Sequence, residues 1–153
     1  MIVVSDTSPL TALLTVGEAD LLPRLFTKVV IPEAVHEELL RSHSPLPAWL
    51  HVETVRNLGE VHRLASVVDS GEAEAIELAK ELHADRLLID ERKGRRLAIQ
   101  EGVPVIGLLG AVLLAKRRQY IPSARELLNR LEVDAGIYLS ESIKEESLKS
   151  VGE

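Results

Sequence analysis

Ile2-Val3-Val4-Ser5-Asp6-Thr7-Ser8-Pro9 is the stretch from which the fold is read. A short β-branched run breaks at a polar cluster, and a proline follows where the first turn of a helix tolerates one, so the stretch reads as strand, loop, helix. The step then repeats. Lys28-Val29-Val30-Ile31 stops at Pro32 and gives way to a helical stretch from Glu33 to Arg41. Ser42 to Pro47 reads as a loop and His51 to Val55 as an edge strand at best. Helical periodicity returns over Asn57 to Val68 and Glu72 to Leu82, separated by Asp69-Ser70-Gly71, where Asp69 or Ser70 is placed to cap the second helix. Arg86 to Ile89 reads as a buried strand, Asp90 to Glu101 as a helix and Val103 to Ile106 as a last strand. Helices follow at about Leu108–Arg118, Ser123–Leu131 and Leu139–Lys149. Alternation of this kind predicts an α/β fold, a parallel sheet flanked by helices on both faces in an α/β/α sandwich. No repeat, low-complexity segment or linker divides it, so residues 1–153 read as a single domain.

Composition narrows the function classes. Hydrophobic residues make up 46% and charged residues 27%, values of a chain that folds around a core. A formal net charge of −6 argues against a protein that coats duplex nucleic acid through a basic face. The absence of cysteine removes disulfides, thiolate zinc sites, iron–sulfur clusters and a thiol nucleophile together, and fits a cytoplasmic location. Only four aromatics, Phe26, Trp49, Tyr120 and Tyr138, leave little for extended base stacking. The longest uncharged run, Gly102 to Ala115, has 14 residues, short of the ~20 of a transmembrane helix. No signal peptide is read at the start either, since a basic n-region is missing and Asp6 interrupts the apolar stretch.

In open parallel sheets the site lies at the carboxyl ends of the strands. Asp6 and Asp90 each follow an apolar strand there, and either alone would more often be a helix cap. With Glu72 at zero and steps of ~100° per residue, Ala75, Ile76, Ala79 and Leu82 share its side of the helix, while Glu74, Glu77 and Glu81 fall on a solvated face. Glu72 is thus an acid inside the apolar arc. The same construction puts Glu38 beside Ala34 and Val35 on the inner face of its helix, with Glu37 outside. Either glutamate alone could be a snorkelling or salt-bridged side chain.

Together, Asp6, Glu38, Glu72 and Asp90 form four carboxylates with no cationic core residue to pair them, and such a cluster requires protons or bound cations. Oxygen-only ligands favour Mg²⁺ or Mn²⁺, and such ions beside a phosphate describe metal-assisted phosphodiester cleavage. Ser8 is placed to hydrogen-bond a ligand or water. Arg92, Lys93, Arg95 and Arg96, directly after Asp90, are candidates for RNA-phosphate contact, against the plainer reading of a solvated face. Rival motifs fail. His36-Glu37 starts an HExxH zinc pattern, but Leu40 stands where the second His belongs; no GxxxxGK[ST] occurs, and no GxGxxG follows a strand. A receiver-type phosphoacceptor would need a paired acid and a facing Lys, and a haloacid-dehalogenase-type phosphatase a second Asp at Ser8.

The quoted motifs resemble those of the PIN-domain nucleases, the fold of VapC-type toxins. Val3 to Leu10 is similar to that family's first strand and acid, Ile31 to Leu39 to its second motif with Glu38 in the acidic position, and Gly71 to Ile76 and Leu88 to Arg95 to the remaining two. Gly110 to Lys116 and Gly136 to Glu153 also resemble segments of a prokaryotic branch of it. The resemblance implies Mg²⁺ or Mn²⁺ dependence, an endoribonuclease acting on RNA, and often an antitoxin partner or a homodimer. Two departures stand out: Glu72 where many such toxins have Asp, and Leu108 where Thr is expected. The alternative is a catalytically weak or inactive module of the same fold that binds RNA or a protein partner.

Overall fold

Strand β1 (Ile2–Ser5) lies at the centre of a five-stranded sheet, and everything that follows is arranged around its carboxyl end. In chain order come α1 (Thr7–Thr15), α2 (Leu21–Leu25), β2 (Lys28–Pro32), α3 (Glu33–Leu40), β3 (Leu50–Glu53), α4 (Leu58–Leu64) and α5 (Ser70–Glu81). They are followed by β4 (Arg86–Leu88), α6 (Arg92–Gln100), β5 (Val105–Ile106), α7 (Leu108–Arg117), α8 (Ala124–Ala135) and α9 (Glu141–Lys149). This computed structural model describes residues 1–153.

All four strand pairs are parallel, in the order β3-β2-β1-β4-β5. Because the chain builds outward from β1 to β3 on one side and then starts again at β4 on the other, the order reverses between β1 and β4. Crossovers on either side of such a reversal leave a crevice at the carboxyl ends, the place where ligands bind in open α/β sheets. Val4 pairs in register with Leu87 and Ser5 with Leu88, and the Asp6 N–H donates to the Leu88 carbonyl at 2.9 Å.

Alternation along the strands feeds two cores. Val3, Val29, Ile31 and Leu88 point to one face, where α1, α2, α3, α7 and α8 cover them; Val4, Val30, Leu87 and Ile89 point to the other, beneath α4, α5 and α6. Each wholly buried Leu or Ile contributes roughly 1.5–3 kcal/mol relative to exposure. The α/β/α sandwich expected from the sequence is the one found.

The differences are local. Leu21–Leu25 forms a short helix where the sequence shows no periodic signal, since five residues with an internal proline cannot display one. Helix α4 ends at Leu64 rather than running to Val68, although Asn57 caps it by accepting from the Glu60 N–H at 3.1 Å. Strand β5 is only two residues long. The clearest correction concerns Glu77, which sequence periodicity places in solvent. It is 4% exposed, because α3 and α4 pack onto α5 and cover the flank a single-face wheel leaves open. No helix is long and apolar enough to cross a membrane.

Candidate functional site

Asp6 stands at the amino end of α1 but makes no side-chain capping bond, so the plain explanation for an Asp after a strand does not account for it. Its carboxyl is 6% exposed at the carboxyl end of the central strand. Burial first of all pushes its pKa up to about 6; the Thr7 amide opposes this, and Asp69, Glu38 and Asp90 push it further up. Those three carboxyls are therefore close enough to Asp6 for their charge to be felt there.

Glu72 lies in the first turn of α5 and is 8% exposed, as its position in the apolar arc requires. Its Oε2 is buried without a hydrogen-bond partner. Burial, then the neighbouring Asp69 carboxyl, then Asp6 and Glu91 raise its pKa to about 8. Glu38, half-buried on α3, extends over the start of α5, where a Cβ on Gly71 would come within 2.6 Å of Glu38 Oε1. A Cβ on Gly94 would likewise collide with Glu72 Oε2, and one on Gly107 would stand 3.0 Å from Asp90 Oδ1. Three glycines therefore make room for three of the four acids.

Asp90 has exposed surface, yet one carboxylate oxygen turns inward and accepts from the Leu108 N–H at 2.8 Å, at the first residue of α7. Its pKa is raised, first by desolvation, against the lowering effect of Leu108 and Arg95. Leu108 itself is 2% exposed in the core, so the chain contributes an amide at the position where a hydroxyl was expected.

The capping of α6 falls instead to Glu91, which accepts from the Gly94 N–H at 2.7 Å, and Asp69 caps α5 by accepting from the Glu72 N–H at 2.8 Å. The amino ends of α1, α5, α6 and α7 lie beside these acids, and the helix dipoles favour negative charge there. In the sequence Asp69 is, with Ser70, one of two candidate caps; its electrostatic link to Asp6 and Glu72 is visible only in the fold. The Thr7 hydroxyl, buried and unpartnered beside Asp6, is a second orphan that the sequence did not single out as one.

The cations divide. Arg92, Lys93 and Arg96 are exposed and take part in none of the chain's ion pairs. Arg95 differs: its Nη1 donates to the Ile89 carbonyl at 2.9 Å, and the guanidinium stands on the Asp90 side of α6. It therefore sets a positive charge beside Asp90, whereas the sequence offers Arg95 only as a candidate phosphate contact. Ser8 is exposed in the first turn of α1.

Oxygen-only donors, mutual repulsion and orphaned buried oxygens fit a hard divalent cation. The side chains do not form a ready-made cage, since no three His, Asp or Glu are disposed as a ligand set in this conformation. A family model described as a PIN domain matches residues 2–153. No curated protein matches the chain.

Proposed function

The chain belongs to the PIN-domain family, and from that premise we propose that it is a metal-dependent endoribonuclease, the toxin component of a toxin–antitoxin pair. PIN domains are generally nucleases. The observation that supports the finer reading is Glu72 Oε2, buried and unpartnered beside Asp69, Asp6 and Glu91, with Asp6 in turn pushed up by Asp69, Glu38 and Asp90.

In this reading Asp6, Glu38, Glu72 and Asp90 would hold Mg²⁺ or Mn²⁺. Such an ion supplies Lewis acidity, making water nucleophilic at neutral pH and offsetting charge that builds on the phosphate and leaving oxygen. The protein's own part is positional. Asp90, tethered to the Leu108 amide, and Asp6, fixed by the main-chain bond from its N–H to Leu88, define the two walls of the crevice. Glu72 holds a proton at neutral pH and must release it for its carboxylate to serve as a ligand. Four helix amino ends and the exposed Arg92, Lys93 and Arg96 attract the RNA phosphates. The proposed partners are RNA, an antitoxin protein and a second copy of the chain, acting in the cytoplasm.

A second reading, a module of this fold that binds RNA or a protein partner without cleaving, draws on the absence of a preformed ligand cage. RNA cleavage by the wild-type chain and by Asp6→Asn, with Mg²⁺ or Mn²⁺ and with EDTA, separates the two. The nuclease reading expects cleavage that EDTA abolishes and that Asp6→Asn lowers by at least about 100-fold. Equal cleavage by the variant, or indifference to EDTA, would sink it.

A further inference from the structure

A groove of about 880 Å³ opens beside Asp90, between α7, α8 and the irregular segment 136–140. Its size falls in the range of about 300–1,000 Å³ usual for small-ligand pockets. The apolar lining includes the part-exposed Ile106, Leu109 and Leu139, and Asp90, Arg92 and Arg95 also line it. Asp90 is one of the four acids, so the groove and the crevice are continuous. A second depression, about 500 Å³, carries on from the same three residues along α6 past Arg96 to Gln100.

Three features on the groove are without a structural task. Tyr138 is 86% exposed on the rim, although an aromatic ring is the side chain that gains most from burial. Residues 138–140 line the groove, lie outside any helix or strand and donate no main-chain hydrogen bond. Arg92 is exposed and enters no ion pair. An apolar lining, an unpartnered ring, main-chain amides and a free guanidinium next to a phosphodiester-cleaving crevice match the parts of a nucleotide: base faces, base edge and phosphate. A purely apolar partner would leave the amides and the guanidinium unsatisfied.

We infer that this groove is a nucleobase subsite for single-stranded RNA, in which Tyr138 stacks on the base flanking the cleaved bond and Arg92 contacts the adjoining phosphate. The inference rests on the nuclease reading for its substrate, and deepens it by naming what holds the strand beside the cut. Backbone phosphates would then follow α6 past Arg96 while one base turns into the groove. Leu139 and Ile106 contribute an apolar surface indifferent to base identity, and the amides of residues 138–140 contribute the preference.

The test is fluorescence anisotropy of a labelled single-stranded RNA hexamer in Mg²⁺, in the Asp6→Asn background, paired with KM and kcat in the otherwise wild-type chain. Tyr138→Ala, Tyr138→Trp, Arg92→Ala and Ile143→Glu are compared; Ile143 is 54% exposed on the same rim, so these variants all alter surface residues. Tyr138→Ala is expected to weaken binding about tenfold, Tyr138→Trp to restore it, and Ile143→Glu to weaken it through repulsion. An abasic hexamer should lose affinity for the parent chain at one position and lose nothing further with Tyr138→Ala. In cleavage, Tyr138→Ala should raise KM about tenfold and leave kcat within about twofold. Hexamer affinity and KM unchanged by Tyr138→Ala and Ile143→Glu, with cleavage intact, would overturn the subsite and leave the nuclease. Tyr138-dependent, abasic-sensitive binding by a chain that cleaves nothing would uphold the subsite and overturn the nuclease. No hexamer binding at all, or a Tyr138→Ala effect on dimerisation alone, would overturn the subsite and, in the latter case, give the groove to a second copy.

Discussion

Glu72 and Glu77 are both buried on α5, at 8% and 4% exposure, but their surroundings differ. Lys80 Nζ stands 3.4 Å from Glu77, whereas Glu72 is surrounded by other acids. Burial is the leading cause in both cases, raising Glu77 to about 7 and Glu72 to about 8, and it also raises Asp6 to about 6. Carboxyls with raised folded-state pKa values bind more protons in the folded than in the unfolded chain. Their contribution to stability is therefore present below the unfolded values near 4 and is lost as pH rises through about 6, 7 and 8. In EDTA, Tm is expected to fall from about pH 5 to about pH 8, and Glu72→Gln to make that fall shallower. An unchanged slope in the variant would mean Glu72 is not the strained acid described here. Gly71 gives a second test at this scale. Gly71→Ala favours the helix by up to about 1 kcal/mol but pushes Glu38 aside. Cleavage should fall about tenfold or more while Tm holds or rises; full activity would remove Glu38 from the site.

At the scale of the elements, Lys80 ties three helices together. It meets Glu60 on α4 at 3.2 Å and Glu101 at the end of α6 at 3.0 Å, besides Glu77 on its own α5. Lys80→Met would leave Glu77 buried without a cation and is expected to cost about 2 kcal/mol in urea denaturation. A loss below about 0.5 kcal/mol would reduce the network to surface decoration. The strands and most helices were legible in the sequence because each begins or ends at a local signal, such as Pro32 after β2 or the Asn57 and Asp69 caps. Glu77 was misread for a physical reason: periodicity reports which residues share a helix face, and it cannot report that α4 returns to cover a second face. Asp6 and Asp90 are singled out in the sequence because each follows an apolar strand, and Glu72 because a charge inside an apolar arc breaks a local rule; Asp6 and Glu72 are indeed buried. Asp69 and Glu91 obey the rule as caps, so nothing local betrays that they also face the cluster. Tyr138 sits in a segment without periodicity, and only tertiary packing shows its ring left on a groove rim.

For the whole molecule, the formal net charge of −6 counts every carboxyl as ionised, and Asp6, Glu38, Glu72 and Asp90 supply four of those negative charges. The sheet order places Asp6 and Asp90, which follow β1 and β4, at the reversal point, and helices from both layers begin beside it. In the proposed nuclease, a cation held at these acids would let a negative chain meet RNA phosphates. The acids do not form a closed cage in the present conformation, so the account requires that a cation draw them inward. The direct measurement is the anomalous signal from a crystal of the chain soaked in Mn²⁺ near pH 8. A peak at the crevice with oxygens of Asp6 and at least one of Glu38, Glu72 and Asp90 at about 2.1 Å is the predicted result. A crevice without Mn²⁺, or a peak held by other residues, would contradict it.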